Sequence, residues 1–134
     1  MSSPNSNLKQ IVLETLGIHP GIELAIIFGS IAAGTERNDS DLDLAVDAGH
    51  PLTAEEKRTL ICELAGRIGR PVDLVDLRTA GEPLLGQILE HGIRILGANA
   101  CYAGVLRRHL LDSADFLPYR QRILRERRHA WIGK

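Results

Sequence analysis

Apolar residues recur at two different periods along this chain, and the switches between them mark its elements. Leu8, Ile11, Val12 and Leu16 fall at helical spacing after the polar Ser6 and Asn7, and Gly17 followed by His19-Pro20 supplies the stop. Ile22 to Phe28 is mostly apolar, broken only by Glu23 and bounded by Gly21 and Gly29, which predicts a strand buried on both faces. Gly29-Ser30 turns into a short helix, Ile31 to Ala33, and a polar loop runs from Gly34 to Ser40. Asp41 to Val46 then alternates strictly, with Leu42, Leu44 and Val46 on one face of a second strand and Asp41, Asp43 and Ala45 on the other.

The helical period returns after Thr53, which with Glu56 forms a capping box; Leu60, Ile61, Leu64, Ala65 and Ile68 make the stripe and Gly69 closes it. Val72 to Leu77 reads as a third strand. A helix opened by Pro83 carries Leu84, Leu85, Ile88 and Leu89 and ends at Gly92, and a short strand follows over Ile93 to Leu96. From about Asn99 the pattern is helical again, with a kink or break near Pro118. Helices alternating with strands predict an α/β (α+β) domain: a mixed sheet flanked by helices, with a helical tail.

A chain of 134 residues with 44% hydrophobic side chains can build one core without staples, so a second independent domain is not expected. The longest apolar stretch, Leu24 to Phe28, is far shorter than a membrane span, and no leader pattern opens the chain, so a cytoplasmic protein is expected. Cys62 and Cys101 lack metal-ligand spacing and read as reduced, buried filler. Charge is unevenly spread: residues 1 to 100 carry 8 basic and 14 acidic side chains, residues 101 to 134 carry 8 and 3. The basic tail reads either as a surface for an acidic partner or as one solvated helix face. Trp131 and Tyr119 beside it could imitate a nucleic-acid surface, but with 4% aromatic residues, docking onto the body or a partner is favoured. The five histidines show no ligand spacing among themselves.

The chemistry lies at two strand ends. Asp41 and Asp43, two apart on a strand, point the same way with Cα atoms roughly 6 to 7 Å apart. Such a pair can bracket hard divalent cations, and two cations roughly 3.5 to 4 Å apart stabilise both oxygens of an in-line phosphoryl displacement. A polar face on an exposed strand would be the plainer explanation, but aspartate is a poor strand former. Gly29-Ser30, between a buried strand and a helix start, lets a phosphate approach the backbone; alone it reads more readily as an ordinary cap.

Together these features resemble a known signature. GSIAAGTERNDSDLDLAV matches the GSX10DXD motif of the DNA polymerase β-like nucleotidyltransferases in their minimal form, and Gly34, Thr35, Arg37, Ser40 and Asp41 fall where short members read G-T-x-R-x-x-S-D. PVDLVDLRTA at 71 to 80 looks like the segment with the third carboxylate, and EHGIRILG at 90 to 97 like the strand that follows. DFLPYRQRIL, from Asp115 to Leu124, is similar to the tail of antitoxins paired with HEPN-domain toxins.

The resemblance implies that Gly29 and Ser30, helped by Arg37, hold the phosphates of ATP and that Asp41, Asp43 and a third acid bind two Mg2+ ions. For the third acid, Asp73 stands opposite the core-filling Val72 and Leu74 and is favoured; Asp76 shares a face with Leu74 and reads as a strand-end acid that pairs with Arg78 or caps the next loop. Residues 1–98 would form the nucleotidyltransferase domain and 99–134 a helical extension packed on it, a candidate for docking a partner. The implied activity is that of an antitoxin: AMP transfer from ATP to a tyrosine of a HEPN ribonuclease toxin with which the chain forms a hetero-oligomer. Two alternatives stay open, an antitoxin that masks its toxin without transfer and a nucleotidyltransferase acting on a small molecule or an RNA end.

Overall fold

The computed structural model describes residues 4–35 and 40–113. In chain order the elements are α1 (Pro4–Gly17), β1 (Leu24–Phe28), α2 (Gly29–Ala33), β2 (Leu42–Asp47), α3 (Ala54–Ile68), β3 (Val72–Asp76), α4 (Leu84–His91) and β4 (Ile93–Leu96). Residues 99–113 form a further helix, α5. The four strands make one sheet in the order β3-β2-β1-β4; β1 is antiparallel to β2 and β4, and β2 is parallel to β3. A parallel pair needs a crossover, and α3 supplies it.

Strand alternation sends side chains into two separate cores. On one face Leu42, Leu44 and Val46 meet Ala25 and Ile27 from β1, Val12 and Leu16 from α1, and Leu60 and Leu64 from α3. On the other, Ala45 packs with Leu24 and Ile26, covered by Leu85 and Ile88 of α4 and Val105 of α5. β1 serves both cores, and Leu24 to Ile27 are buried. Gly92 lets α4 pass closely over it: a Cβ there would stand 2.4 Å from Ile26 Cγ2 and 2.4 Å from the Ile88 carbonyl.

Local signals fix the element ends. Glu56 N donates to Thr53 Oγ1 at 3.0 Å and Thr53 N to Glu56 Oε1 at 2.9 Å, completing the expected capping box of α3. That amide, seconded by His50, holds the Glu56 carboxyl below its usual range. Gly69 closes α3 in the left-handed conformation. Several boundaries move by one to four residues from the expected ones. α1 starts at Pro4, because a helix extends past the residues that touch the core and proline suits its first turn. β1 starts at Leu24, since Ile22 N still donates to the turn carbonyl of His19. β2 shifts one residue on, leaving Asp41 just ahead of it. Pro118 lies outside the described residues.

Two expectations need correcting. Cys62 is exposed and Cys101 only partly covered, so the first is not core filler; on α3 it lies two positions from the inward Leu60 and Leu64, which turns it to the far side. Arg78 does not give its guanidinium to Asp76. Its Nε donates to Asp47 Oδ1 at 2.9 Å, and Asp76 instead accepts the backbone N–H groups of Arg78 at 2.9 Å and Leu52 at 2.7 Å. Asp76 therefore caps loops, the second role expected of it.

Candidate active site

Phe28 ends β1 in an extended conformation and Gly29 starts α2 at φ +73°, a left-handed turn that glycine makes at little cost. Space dictates glycine as strongly as conformation does: a Cβ at Gly29 would lie 2.0 Å from Asp43 Oδ2. The carboxylate of Asp43 thus rests against bare backbone. The first amides of α2 lack intrahelical acceptors, and Phe28 offers them no side-chain cap. Ser30 follows at once, and its carbonyl accepts Thr35 N at 2.9 Å, which closes the turn on itself.

Register brings the acids together. Asp43 pairs with Phe28 on one side and with Asp73 on the other, so the two carboxylates stand side by side on the sheet face opposite Leu42 and Leu44. Asp43 is half-buried, while Asp41 and Asp73 are exposed. The Asp43 carboxyl is held above its ordinary value of 3.8, first by burial, then by the negative charge of Asp73 and of Asp41, and by a hydrogen bond shared with Asp73. Asp76, three residues along β3, belongs to the loop-capping set at the other end of the strand.

Among the described residues no three acidic, histidine or cysteine side chains close around one point as a finished metal cage would. The donor set nonetheless suits a hard cation: carboxylate oxygens on strand-borne side chains, gathered closely enough that each raises the cost of charging Asp43. A divalent cation held there would relieve that repulsion. Arg37 lies outside the described residues, between Thr35 and Ser40. Arg70, which sequence reasoning passed over, donates from Nη1 to the Ser40 carbonyl at 3.4 Å and so ties the start of β3 to the approach of Asp41. The buried Asp47 was also passed over; alternation alone gives it no role, because its partners, Arg78 Nε and Gly49 N, come from two other loops. A groove of about 440 Å³ lined by His19, His50, Glu55 and Leu60 contains none of the candidate residues.

Residues 10–100 match the family described as polymerase beta, nucleotidyltransferase. The chain belongs to this family. It is 37% identical over 78 residues to the protein adenylyltransferase MntA of Shewanella oneidensis, a match that takes in 58% of this chain and 56% of that relative, so it spans little more than half of the relative's length. Among solved structures, a toxin–antitoxin with AMP-PNP superposes with a TM-score of 0.75 at 29% identity, covering 88% of this chain and 96% of that one. A crystal structure of the toxin–antitoxin MntA-HepT gives 0.70 at 25% identity, covering 89% and 95%. These relatives share the polymerase β-like fold and extend the likeness beyond the 78 aligned residues to most of the chain. No helix among the described residues is long and apolar enough to cross a membrane.

Proposed function

We propose that this nucleotidyltransferase is an antitoxin that transfers AMP from ATP to a tyrosine of a HEPN-domain ribonuclease toxin, with which it forms a hetero-oligomer. The observation that carries the reading is the pairing of Asp43 with Asp73 beside the bare backbone of Gly29. Likeness to a protein adenylyltransferase and to toxin–antitoxin complexes, one of them with an ATP analogue, supports the choice of nucleotide and partner.

In this reading Asp41, Asp43 and Asp73 hold two Mg2+ ions, and Gly29, Ser30 and Arg37 hold the triphosphate. When bound, Mg2+ supplies Lewis acidity and neutralises phosphate charge. The tyrosine oxygen attacks the α-phosphorus of ATP, the bond from that phosphorus to the bridging oxygen breaks, and pyrophosphate leaves. Asp73, the exposed acid of the pair, accepts the tyrosine proton. Asp43, lodged against Gly29, keeps its position through the reaction because the turn has no side chain to give way.

The test is to incubate the chain with the product of the adjacent gene, ATP and Mg2+, and to weigh both by intact mass spectrometry. A toxin heavier by one or more AMP groups on tyrosine, with loss of its ribonuclease activity, is the expected result. A toxin silenced at unchanged mass would replace transfer with masking.

A further inference from the structure

Asp41 differs from its two companions in how it is held. Asp43 and Asp73 lie within strands and are registered against each other, whereas Asp41 stands one residue ahead of β2 and is exposed. The ladder that fixes the other two does not reach it. Its carboxylate is directed only as well as the chain leading into β2 is held.

Two consecutive residues hold that lead-in. Before Asp41, the Ser40 carbonyl accepts Arg70 Nη1 at 3.4 Å; after it, Leu42 N donates to the Pro71 carbonyl at 2.9 Å. The peptide groups on both flanks of Asp41 are thus fastened to Arg70-Pro71, the entry to the strand that carries Asp73. Local chemistry aims Arg70 at this task. Gly69 ends α3 in a left-handed turn at φ +72°, and a residue before proline is confined to extended backbone, so the half-buried Arg70 has few directions in which to project.

We propose that Arg70 is the positioning residue of Asp41: its grip on the Ser40 carbonyl sets where the Asp41 carboxylate meets Mg2+, an inference that rests on the reading of the acids given above. Charge and position make opposite demands at this place. A guanidinium near a cation site repels the cation, so on charge alone the loss of Arg70 would tighten Mg2+ binding. As a positioning group, its loss loosens binding. The sign therefore separates a residue that orients Asp41 from one that merely adds positive charge for a phosphate.

Calorimetry with Mg2+ alone, on the full chain without nucleotide, reads that sign. Arg70→Met should weaken binding by about tenfold, as when a group that orients a metal ligand is removed, with a melting temperature close to the parent's. Arg70→Lys, which retains a donor, should recover part of the loss. In an Asp41→Asn background Arg70→Met should cost nothing more, because its effect passes through the missing carboxylate. Should Arg70→Met melt early, Arg70→Gln, polar but too short to reach the carbonyl, gives the same reading. Unchanged or tighter binding by the folded variants would overturn the proposal, and so would an equal loss in the Asp41→Asn background. A parent that binds Mg2+ no better than Asp41→Asn would overturn the reading of the acids as well, which a failure at Arg70 alone leaves standing.

Discussion

Gly29 and Asp43 form a unit in which one residue's missing side chain is the other's seat. Gly29→Ala meets two penalties, a left-handed φ of +73° and a contact of 2.0 Å with Asp43 Oδ2. The conformational part alone costs about 1 to 2 kcal/mol, and the contact can be relieved only by moving the carboxylate. Thermal melting should show that loss, and AMP transfer per folded molecule should fall at least as far as stability implies. Asp43 should reveal itself through pH. Its folded-state pKa lies above 3.8, so in metal-free protein the carboxyl holds its proton longer folded than unfolded; stability drops as pH rises through that window and stays reduced above it. Asp43→Asn should therefore melt no lower than the parent at neutral pH in chelator, lose this pH dependence and abolish transfer. Mg2+ binding to the parent should weaken as pH falls through the raised pKa, which calorimetry can follow. The i, i+2 spacing made Asp41 and Asp43 legible in sequence. Nothing in it showed that Gly29 lies beneath Asp43, because that contact depends on which strands are neighbours.

Within the elements, the two aspartates of β3 carry different burdens. Asp73 is exposed and beside Asp43, whereas Asp76 is 6% exposed and accepts two loop amides. Asp73→Asn should destroy transfer without lowering the melting temperature. Asp76→Asn should cost about 1 to 3 kcal/mol by leaving a buried N–H poorly satisfied, with transfer per folded molecule largely kept. The opposite ranking would show that the acid roles on this strand are exchanged. Each strand could be read from its pattern to within two residues, and α3 from its capping box, since these signals are local. The loop-capping role of Asp76 was legible, but the distant partners of Asp47 and Asp76 were not: Leu52 is 24 residues from Asp76 and Arg78 is 31 from Asp47, separations that only the completed sheet closes.

Across the whole molecule the charge asymmetry remains the plainest sequence signal. Val105 is buried against the second core, so α5 belongs to the body as far as it is described. Ending the chain after Ser113 keeps the described part of that helix and removes the more basic remainder. If that remainder docks the proposed HEPN partner, the truncated protein should stay folded by melting, and transfer to that partner should fall far more than slow ATP hydrolysis, because docking would supply the proximity that a free tyrosine lacks. Raising salt should reproduce part of the loss, with screening over about 8 to 10 Å near physiological ionic strength. Undiminished modification by a folded truncation would remove the docking role.

The central strand has a further consequence. Leu24 to Ile27 have neighbours on both edges and a core on both faces, and Phe28 leads directly into the Gly29 turn. Amide protons of Ala25 to Ile27 should therefore exchange with solvent only when the whole domain opens, at the slow limit set by global stability. The turn that would cradle a nucleotide is fastened to the last part of the molecule to come undone.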